Sequence, residues 1–430
     1  MRSAPRPAAT GVDVYLFPAV VGGGLGDVEE VLAAGRRLAR AGWRAVVYRR
    51  PGRPLPAGLA LRGPWPRLRT TGRLRPRCGA AVTIAPAWGL SAAPERPGPL
   101  GRAGPWAVEA ADVERVYGAE RTIHVSLEEF ARTLTLGEES RERFREGGVR
   151  RRAIPERLRR ARSVGETARF ERAFREFRAF DRPNVLHVFA TFRRSGRFQR
   201  EFPNAVQTGP LWSGRYRTRA RPVPASTREW FWYASPASSE VIAPQVVEGL
   251  RGVRPRIRLF VRTPRPWRTR LDPAAIEVES GRLGERAWRR RFAAAELRIV
   301  TGSRTLLEAM ELGGPFLYFN GVLGSGARLH RHRPEKVAAL IAMGREHGWP
   351  AGLLRDIGDF ARARRIPEVV ARAARRSGSW ARFPRTRAPL GFRPPYDDAG
   401  ALLVAVAREL GRPGASASAI VRSFRRPSNP

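Results

Sequence analysis

The sequence predicts an α/β protein made of two parallel-sheet domains, and three observations carry that prediction. The chain is 430 residues long, which at the usual domain size is two domains with ample material for two cores. Residues 12–48 read as strand, glycine loop, helix, strand, the opening of a doubly wound sheet. From residue 230 onward, short apolar runs rich in β-formers alternate with helical patterns, which argues for a second such sheet.

Composition narrows the class further. With 42% hydrophobic residues the chain is neither wholly disordered nor a polytopic membrane protein. No uninterrupted apolar run approaches the ~18 residues that a spanning helix needs, so none is expected. Met1 to Pro7 lacks the apolar stretch of a secretory signal, and Cys78, as the single cysteine, has no internal disulfide partner. A cytoplasmic location is therefore expected, with peripheral contact at the inner face of an anionic membrane as an open option. The charge is extreme, 80 basic against 39 acidic residues for a net +41, yet Lys336 is the only lysine. A surface selected for phosphate would mix lysine with arginine. Arginine alone, with abundant Ala, Gly and Pro, reads first as drift toward GC-rich codons, and specific nucleic-acid binding is not expected. The field still attracts anionic lipid, nucleic acid and nucleotides, and weakens with salt.

Along the chain, Val12 to Pro18 reads as a buried strand, followed by the loop Gly22-Gly23-Gly24-Leu25-Gly26-Asp27. Val28, Val31, Leu32 and Leu38 then recur at helical spacing, Gly42 closes that helix, and Trp43 to Tyr48 returns as a strand. Residues 51–105, rich in Pro, Gly and Arg, resist a topology beyond a strand near Ala81 to Ile84. A helix is expected over 107–118, a strand at Thr122 to Val125, and a helix after it opened by Ser126 and Glu129 at capping-box spacing. Residues 138–180 read as a solvated, charge-dense helix. Asn184 to Ala190 and Ala205 to Gly209 read as strands, with His124 and His187 packed in such strands rather than catalytic. The basic stretch 215–226 is placed as a linker, giving domains 1–222 and 223–395, with a terminal helix and flexible basic tail over 396–430. In the second domain, strands are expected at 230–234, 257–261, 275–278, 297–300 and 315–319. Helices are expected at 238–250, 286–294, 303–312, 334–346, 361–376 and 397–411, with a frayed tail from Gly414. Trp230, Trp232 and Tyr233 alternate at strand spacing and read as core.

The most specific pattern is Thr301-Gly302-Ser303-Arg304-Thr305-Leu306-Leu307-Glu308-Ala309-Met310-Glu311-Leu312-Gly313-Gly314-Pro315. Backbone N–H groups at a helix start, reached through Gly302 and Ser303, suit a diphosphate. Glu308, one turn beyond Thr305, can accept two vicinal ribose hydroxyls. Read without a ligand, Ser303 is a helix cap and Glu308 a solvated helix residue. The stretch resembles the C-terminal nucleotide-sugar signature of GT-B glycosyltransferases of the glycosyltransferase 28 type, roughly G-[GS]-x-x-T-x-x-E-A-x-x-x-G-x-P. Thr305, Glu308, Ala309, Gly313 and Pro315 fall in register, with the two-residue gap before Thr305.

The resemblance implies a GT-B-like fold, two Rossmann-like halves facing across a cleft, in which the second half binds a nucleotide-activated sugar. It implies a hexosyl- or N-acetylhexosaminyl-transferase that moves a sugar from a uridine diphosphate donor to the hydroxyl of an acceptor, which can be lipid-linked. The donor set would be Ser238, Ser239, Gly302, Ser303, Arg304, Thr305 and Glu308, with Gly23, Gly24 and Gly26 as the glycine loop of the first half. Asp27, where some relatives carry a histidine base, is the candidate for taking the acceptor's proton, against the simpler role of helix cap. Ser238 and Ser239 likewise have a capping alternative. The chain departs from its relatives after Phe319, where Asn320, Arg328, His330 and His332 stand in place of their usual sugar contacts. These four are candidates for phosphate or sugar, or parts of a basic surface turn.

Other chemistries lack support. There is no Asp-x-Asp metal pattern, no zinc-like spacing among five histidines and one cysteine, and no Walker A sequence, so the donor is the co-substrate and no metal or other cofactor is expected. Two alternatives stay open, a nucleotide-sugar 2-epimerase of the same fold and a non-catalytic basic protein for nucleic acid or anionic membrane.

Overall fold

A computed structural model describes residues 11–18, 26–49, 68–86, 105–128, 182–192, 194, 205–212, 228–233, 236–253, 257–262, 277–281, 285–319, 321–323, 329–331, 334–376 and 392–425. The chain divides into two compact units, residues 1–211 with 390–430, and residues 212–389. Gly23 and Gly24, the expected helix over 138–180 and the linker at 215–226 lie outside the described residues.

The first unit holds strands β1 (Asp13–Leu16), β2 (Arg44–Tyr48), β3 (Arg69–Thr71), β4 (Ala81–Pro86), β5 (Thr122–Glu128), β6 (Val185–Ala190) and β7 (Ala205–Thr208). They form one sheet in the order β3-β2-β1-β4-β5-β6-β7, every pairing parallel. Helix α1 (Gly26–Arg40) follows β1, and α2 (Pro105–Tyr117) precedes β5. A parallel sheet is covered on both faces, so its strands are apolar throughout, and β1 and β4 are buried along their whole length. Helix α1 lies against β1, β2 and β4, and it approaches closely because position 35 is glycine. A Cβ on Gly35 would lie 2.1 Å from Leu16 Cδ1. A core of Tyr15, Phe17, Val46, Tyr48, Ala81, Ala85, Ala110 and Val113 includes residues of β1, β2, β4 and α2.

The second unit holds β8 (Arg228–Tyr233), α3 (Pro236–Leu250), β9 (Ile257–Arg262), β10 (Glu277–Gly281), α4 (Glu285–Ala294), β11 (Leu297–Thr301), α5 (Ser303–Leu312) and β12 (Phe316–Phe319). The five strands are again all parallel, in the order β10-β9-β8-β11-β12. Trp230, Phe231 and Trp232 are fully buried although they alternate between the two faces, as a doubly covered sheet requires. A hairpin of β13 (Gly321–Leu323) and β14 (Leu329–Arg331) follows, then α6 (Pro334–Glu346), α7 (Ala351–Ala361) and α8 (Ile366–Arg376). The last two helices, α9 (Ala399–Leu410) and α10 (Ala417–Arg425), belong to the first unit.

Three expectations are corrected. Ser126 does not open a helix: β5 runs through it, because residues 122–127 are all buried and pair with β4 on one side, while His124 onward pairs with β6 on the other. The single helix expected over 361–376 is two helices, broken at Arg362–Arg365, where Ala363 and Arg365 have positive φ. In the stretch after Phe319, residues 321–323 and 329–331 pair as an antiparallel hairpin, with His330 opposite Val322. The tail from Gly414 is not frayed through Arg425. It forms α10, which buries Ala417, Ile420, Val421 and Phe424, while Arg121 donates to the Ala415 carbonyl (2.7 Å) and Ser416 donates to Glu120 (2.5 Å).

Candidate functional site

In an open parallel sheet, ligands bind beyond the strand C-termini where the strand order reverses. In the second unit that point lies between β8 and β11. The elements leaving it are α3, which begins at Pro236, and α5, which begins at Ser303. Ser238 and Ser239 in the first turn of α3, and the Gly302–Glu308 stretch, thus converge on one edge of one sheet although some 60 residues apart. The side chains of Ser238, Ser239 and Ser303 are outside the described set.

Local hydrogen bonds fix the turn from β11 into α5. Thr301 Oγ1 donates to the Tyr233 carbonyl at 2.8 Å, tying the C-terminal ends of the two switch-point strands together. Thr305 Oγ1 donates to the Thr301 carbonyl at 2.7 Å, with the Gly302 carbonyl at 3.3 Å. A hydroxyl has one proton, and here it goes to the main chain. Thr305 therefore braces the turn from β11 into α5.

Gly302 precedes α5 with φ 88° and ψ 157° and, as a glycine, gives the helix no side-chain cap of its own. Ser303 is the first helical residue and not the cap. The first intrahelical bond of this turn runs from Leu306 N to the Gly302 carbonyl, so the N–H groups of residues 303–305 have no intrahelical acceptor. Among the described residues, nothing lies within 4 Å of where a Cβ on Gly302 would sit. The combination is an exposed glycine at the positive end of a helix dipole, which suits an anion.

Glu308 is not the solvated helix residue of the simpler alternative. It is buried, with Arg304 Nε 3.6 Å from its Oε1, and the two side chains are 3% and 9% exposed. Cα–Cβ bonds tilt toward a helix N-terminus, so a pair at this spacing directs the carboxylate toward the turn that Gly302 opens. At the other end, Gly313 N returns to the Ala309 carbonyl at 3.1 Å. Buried Arg298 donates to the carbonyls of Phe292 (2.7 Å), Ala293 (3.0 Å) and Gly313 (3.5 Å). It thereby closes the C-termini of α4 and α5 at once. The Gly313-Gly314-Pro315 end of the signature is thus a helix stop.

The first unit offers less. Gly26 and Asp27 are the first two residues of α1, so Asp27 lies inside the helix rather than capping it, and its side chain is outside the described set. His124 is core, as expected: Nδ1 lies 2.7 Å from Thr83 Oγ1 and Nε2 2.8 Å from Glu114 Oε2. Asn320, Arg328 and His332 lie outside the described residues, and of His330 only its place in β14 is described. Sequence reasoning missed Asp13, whose carboxylate is bound by Arg44 (3.3 Å), the N–H groups of Arg77 (2.8 Å) and Cys78 (3.0 Å), and Tyr117 (2.8 Å). That cluster sits at the N-terminal end of β1, opposite to the ligand edge, and is structural. Among the described residues no group of three His, Cys, Asp or Glu side chains gathers to hold a metal, and no helix is long and apolar enough to cross a membrane.

Two units, each a parallel α/β sheet with its reversal between the first and fourth strands, place the protein in the class of paired Rossmann-like folds. Among solved structures the chain is similar to LpCGTa in complex with UDP, at 14% identity over 96% of this chain and 98% of that one, with a TM-score of 0.47. It is also similar to Phytolacca americana UGT2 complexed with UDP-2fluoro-glucose and pterostilbene, at 11% identity over 96% and 98%, TM-score 0.46. A third is the glycotransferase of kitacinnamycin, at 13% identity over 88% and 100%, TM-score 0.44. No family model matches the chain, and no curated protein matches it in sequence.

Proposed function

We propose that this protein is a glycosyltransferase that moves a hexosyl or N-acetylhexosaminyl group from a uridine diphosphate donor to an acceptor hydroxyl. One observation carries it. The join of β11 to α5 puts a helix start with glycine at its cap position at the sheet's reversal point, with the buried carboxylate of Glu308 in the second turn of the same helix.

In this reading the donor diphosphate lies against the N–H groups of residues 303–305, and Glu308 accepts the ribose hydroxyls. Ser238 and Ser239, on the neighbouring helix start, supply further phosphate contacts. Asn320, Arg328, His330 and His332, which follow β12, are candidates for phosphate or sugar. The acceptor oxygen bonds to the anomeric carbon as the bond from that carbon to the diphosphate breaks. The electron pair leaves on the phosphate oxygen, where the dipole of α5 stabilises it. The acceptor's proton passes to a base, for which Asp27 at the start of α1 is the candidate. The first unit takes the acceptor, which can be lipid-linked.

Calorimetric titration with uridine diphosphate tests the donor site. A hydrogen bond to a charged acceptor is worth roughly 1.5–3 kcal/mol, so Glu308→Ala should weaken binding about 10- to 150-fold, and Glu308→Gln less. Unchanged binding by Glu308→Ala removes the ribose assignment. For the base, Asp27→Asn should lower kcat by about 100-fold or more while leaving nucleotide affinity intact. A kcat within a few-fold of wild type excludes Asp27.

A further inference from the structure

We infer that Arg304 is a positioning residue: it holds the Glu308 carboxylate in the orientation that receives the ribose diol. The inference rests on the donor-site reading above and adds a residue that acts through Glu308 rather than on the ligand.

The observation is the ion pair itself. Arg304 Nε and Glu308 Oε1 are 3.6 Å apart, one helical turn from each other, and neither side chain is more than a tenth exposed. A glutamate in such a place needs a counter-charge, since an isolated buried carboxylate is strongly disfavoured and neutralises or swings away. A glutamate also has three rotatable side-chain bonds, so burial alone does not choose its direction. The charge of Arg304, within ion-pair distance, favours one direction. Because the arginine lies on the N-terminal side of Glu308, it draws the carboxylate along the helix toward Gly302, where the backbone is accessible.

The rest of the turn is rigid enough for this to matter. Thr305 and Thr301 lock α5 to β11 and β8, so the backbone that carries both members of the pair is fixed before any ligand arrives. A carboxylate has two oxygens and about four acceptor directions, so one edge can face a guanidinium while others receive hydroxyls. The pair is therefore a preorganised acceptor: the cost of orienting it is met on folding and not on binding.

The test compares uridine diphosphate with 2′-deoxyuridine diphosphate, because the ratio of their affinities reports the diol and cancels general damage to the site. One hydroxyl donated to a carboxylate corresponds to about a tenfold preference for the ribonucleotide in wild type. Arg304→Met should bring that ratio to about two or below, and Arg304→Lys, which keeps the charge, should restore most of it. An Arg304→Met ratio equal to wild type overturns the role of Arg304 alone. A wild type that binds neither nucleotide, or binds both equally, overturns the donor-site reading instead. If Arg304→Met does not fold, the double variant Arg304→Met/Glu308→Ala removes both charges and decides the matter against Glu308→Ala, since deleting a whole buried pair is tolerated better than deleting half. Equal uridine diphosphate affinity in these two supports action through Glu308. A further loss of tenfold or more in the double variant means that Arg304 touches the ligand directly, and overturns the proposal.

Discussion

At the scale of single residues, the proposed donor site depends on one backbone conformation. Gly302 sits at φ 88° and ψ 157°, where a side chain is strained even though the space around it is open. Gly302→Ala should therefore cost about 1–3 kcal/mol in thermal or urea unfolding, through the backbone and not through a clash. Its uridine diphosphate affinity should fall as well, because relieving the strain turns the N–H groups of residues 303–305 away. A variant with wild-type stability would show that this conformation is not held in solution. Titration argues similarly for the buried polar group of the first unit. Burial holds the His124 imidazole below its usual pKa of 6.5, so it is neutral. Its Nε2–H then donates to Glu114, and Nδ1 accepts from Thr83. That hydrogen bond, with those from Arg182 and Asn184, lowers Glu114 from 4.5 to about 2. Glu114 binds its proton less tightly folded than unfolded. Its stabilisation is thus complete above pH 4.5 and drains away as pH falls toward 2. His124 acts in the same sense just below pH 6.5, where the unfolded state takes up the proton first. Melting temperature measured from pH 7 down to 2 should show Glu114→Gln with a flatter acid limb than wild type; an identical limb would mean that Glu114 titrates normally.

At the scale of elements, the break between α7 and α8 makes a prediction of its own. Ala363 has φ 52°, just after the end of α7, and its N–H and that of Arg364 return to the Phe360 (3.0 Å) and Asp359 (2.9 Å) carbonyls. This is a left-handed helix stop of the kind usually occupied by glycine. Ala363→Gly should stabilise the protein by up to about 1 kcal/mol, the relieved strain exceeding the added freedom of the unfolded chain. A fall in melting temperature would argue that the two helices are continuous. The same break shows why parts of the fold were hidden in the sequence. Strands β1, β8 and β11 and helices α1 and α5 carry an unbroken apolar period, and a period is a local signal. Ala363 carries none, because alanine is a strong helix former and the αL conformation is imposed by the packing of two helices. Ser126 misled for the mirror reason: its capping-box spacing is a local signal that pairing with β4 and β6 overrides. In the site, the register of Thr305 and Glu308 was legible from spacing. The pairing of Glu308 with Arg304, and the commitment of the Thr305 hydroxyl to the main chain, were not, since both depend on which face of α5 is buried.

At the scale of the whole molecule, the dominant fact is a net charge of +41 carried almost wholly by arginine. Such a field binds polyanions whether or not binding was selected, so the useful question is which of its consequences depend on sequence. If the arginine excess is compositional, duplex DNA should bind by neutralising phosphates alone, with counterion release as the driving force. For six to ten phosphate contacts, affinity should then fall about 10³- to 10⁵-fold between 50 and 200 mM salt, and should be the same for duplexes of unrelated sequence. Uridine diphosphate should behave differently at the β11–α5 site. It carries few charges and meets backbone N–H groups and the partly desolvated start of α5, so screening reaches it less. Over the same range its affinity should change by less than about tenfold. Fluorescence anisotropy with two unrelated duplexes, run beside nucleotide calorimetry at each salt concentration, separates the two modes. A duplex preference that persists at 150–200 mM salt, together with nucleotide binding that fades with salt as steeply as DNA binding, would make the arginines a selected nucleic-acid surface and the nucleotide a mere fragment of the true ligand.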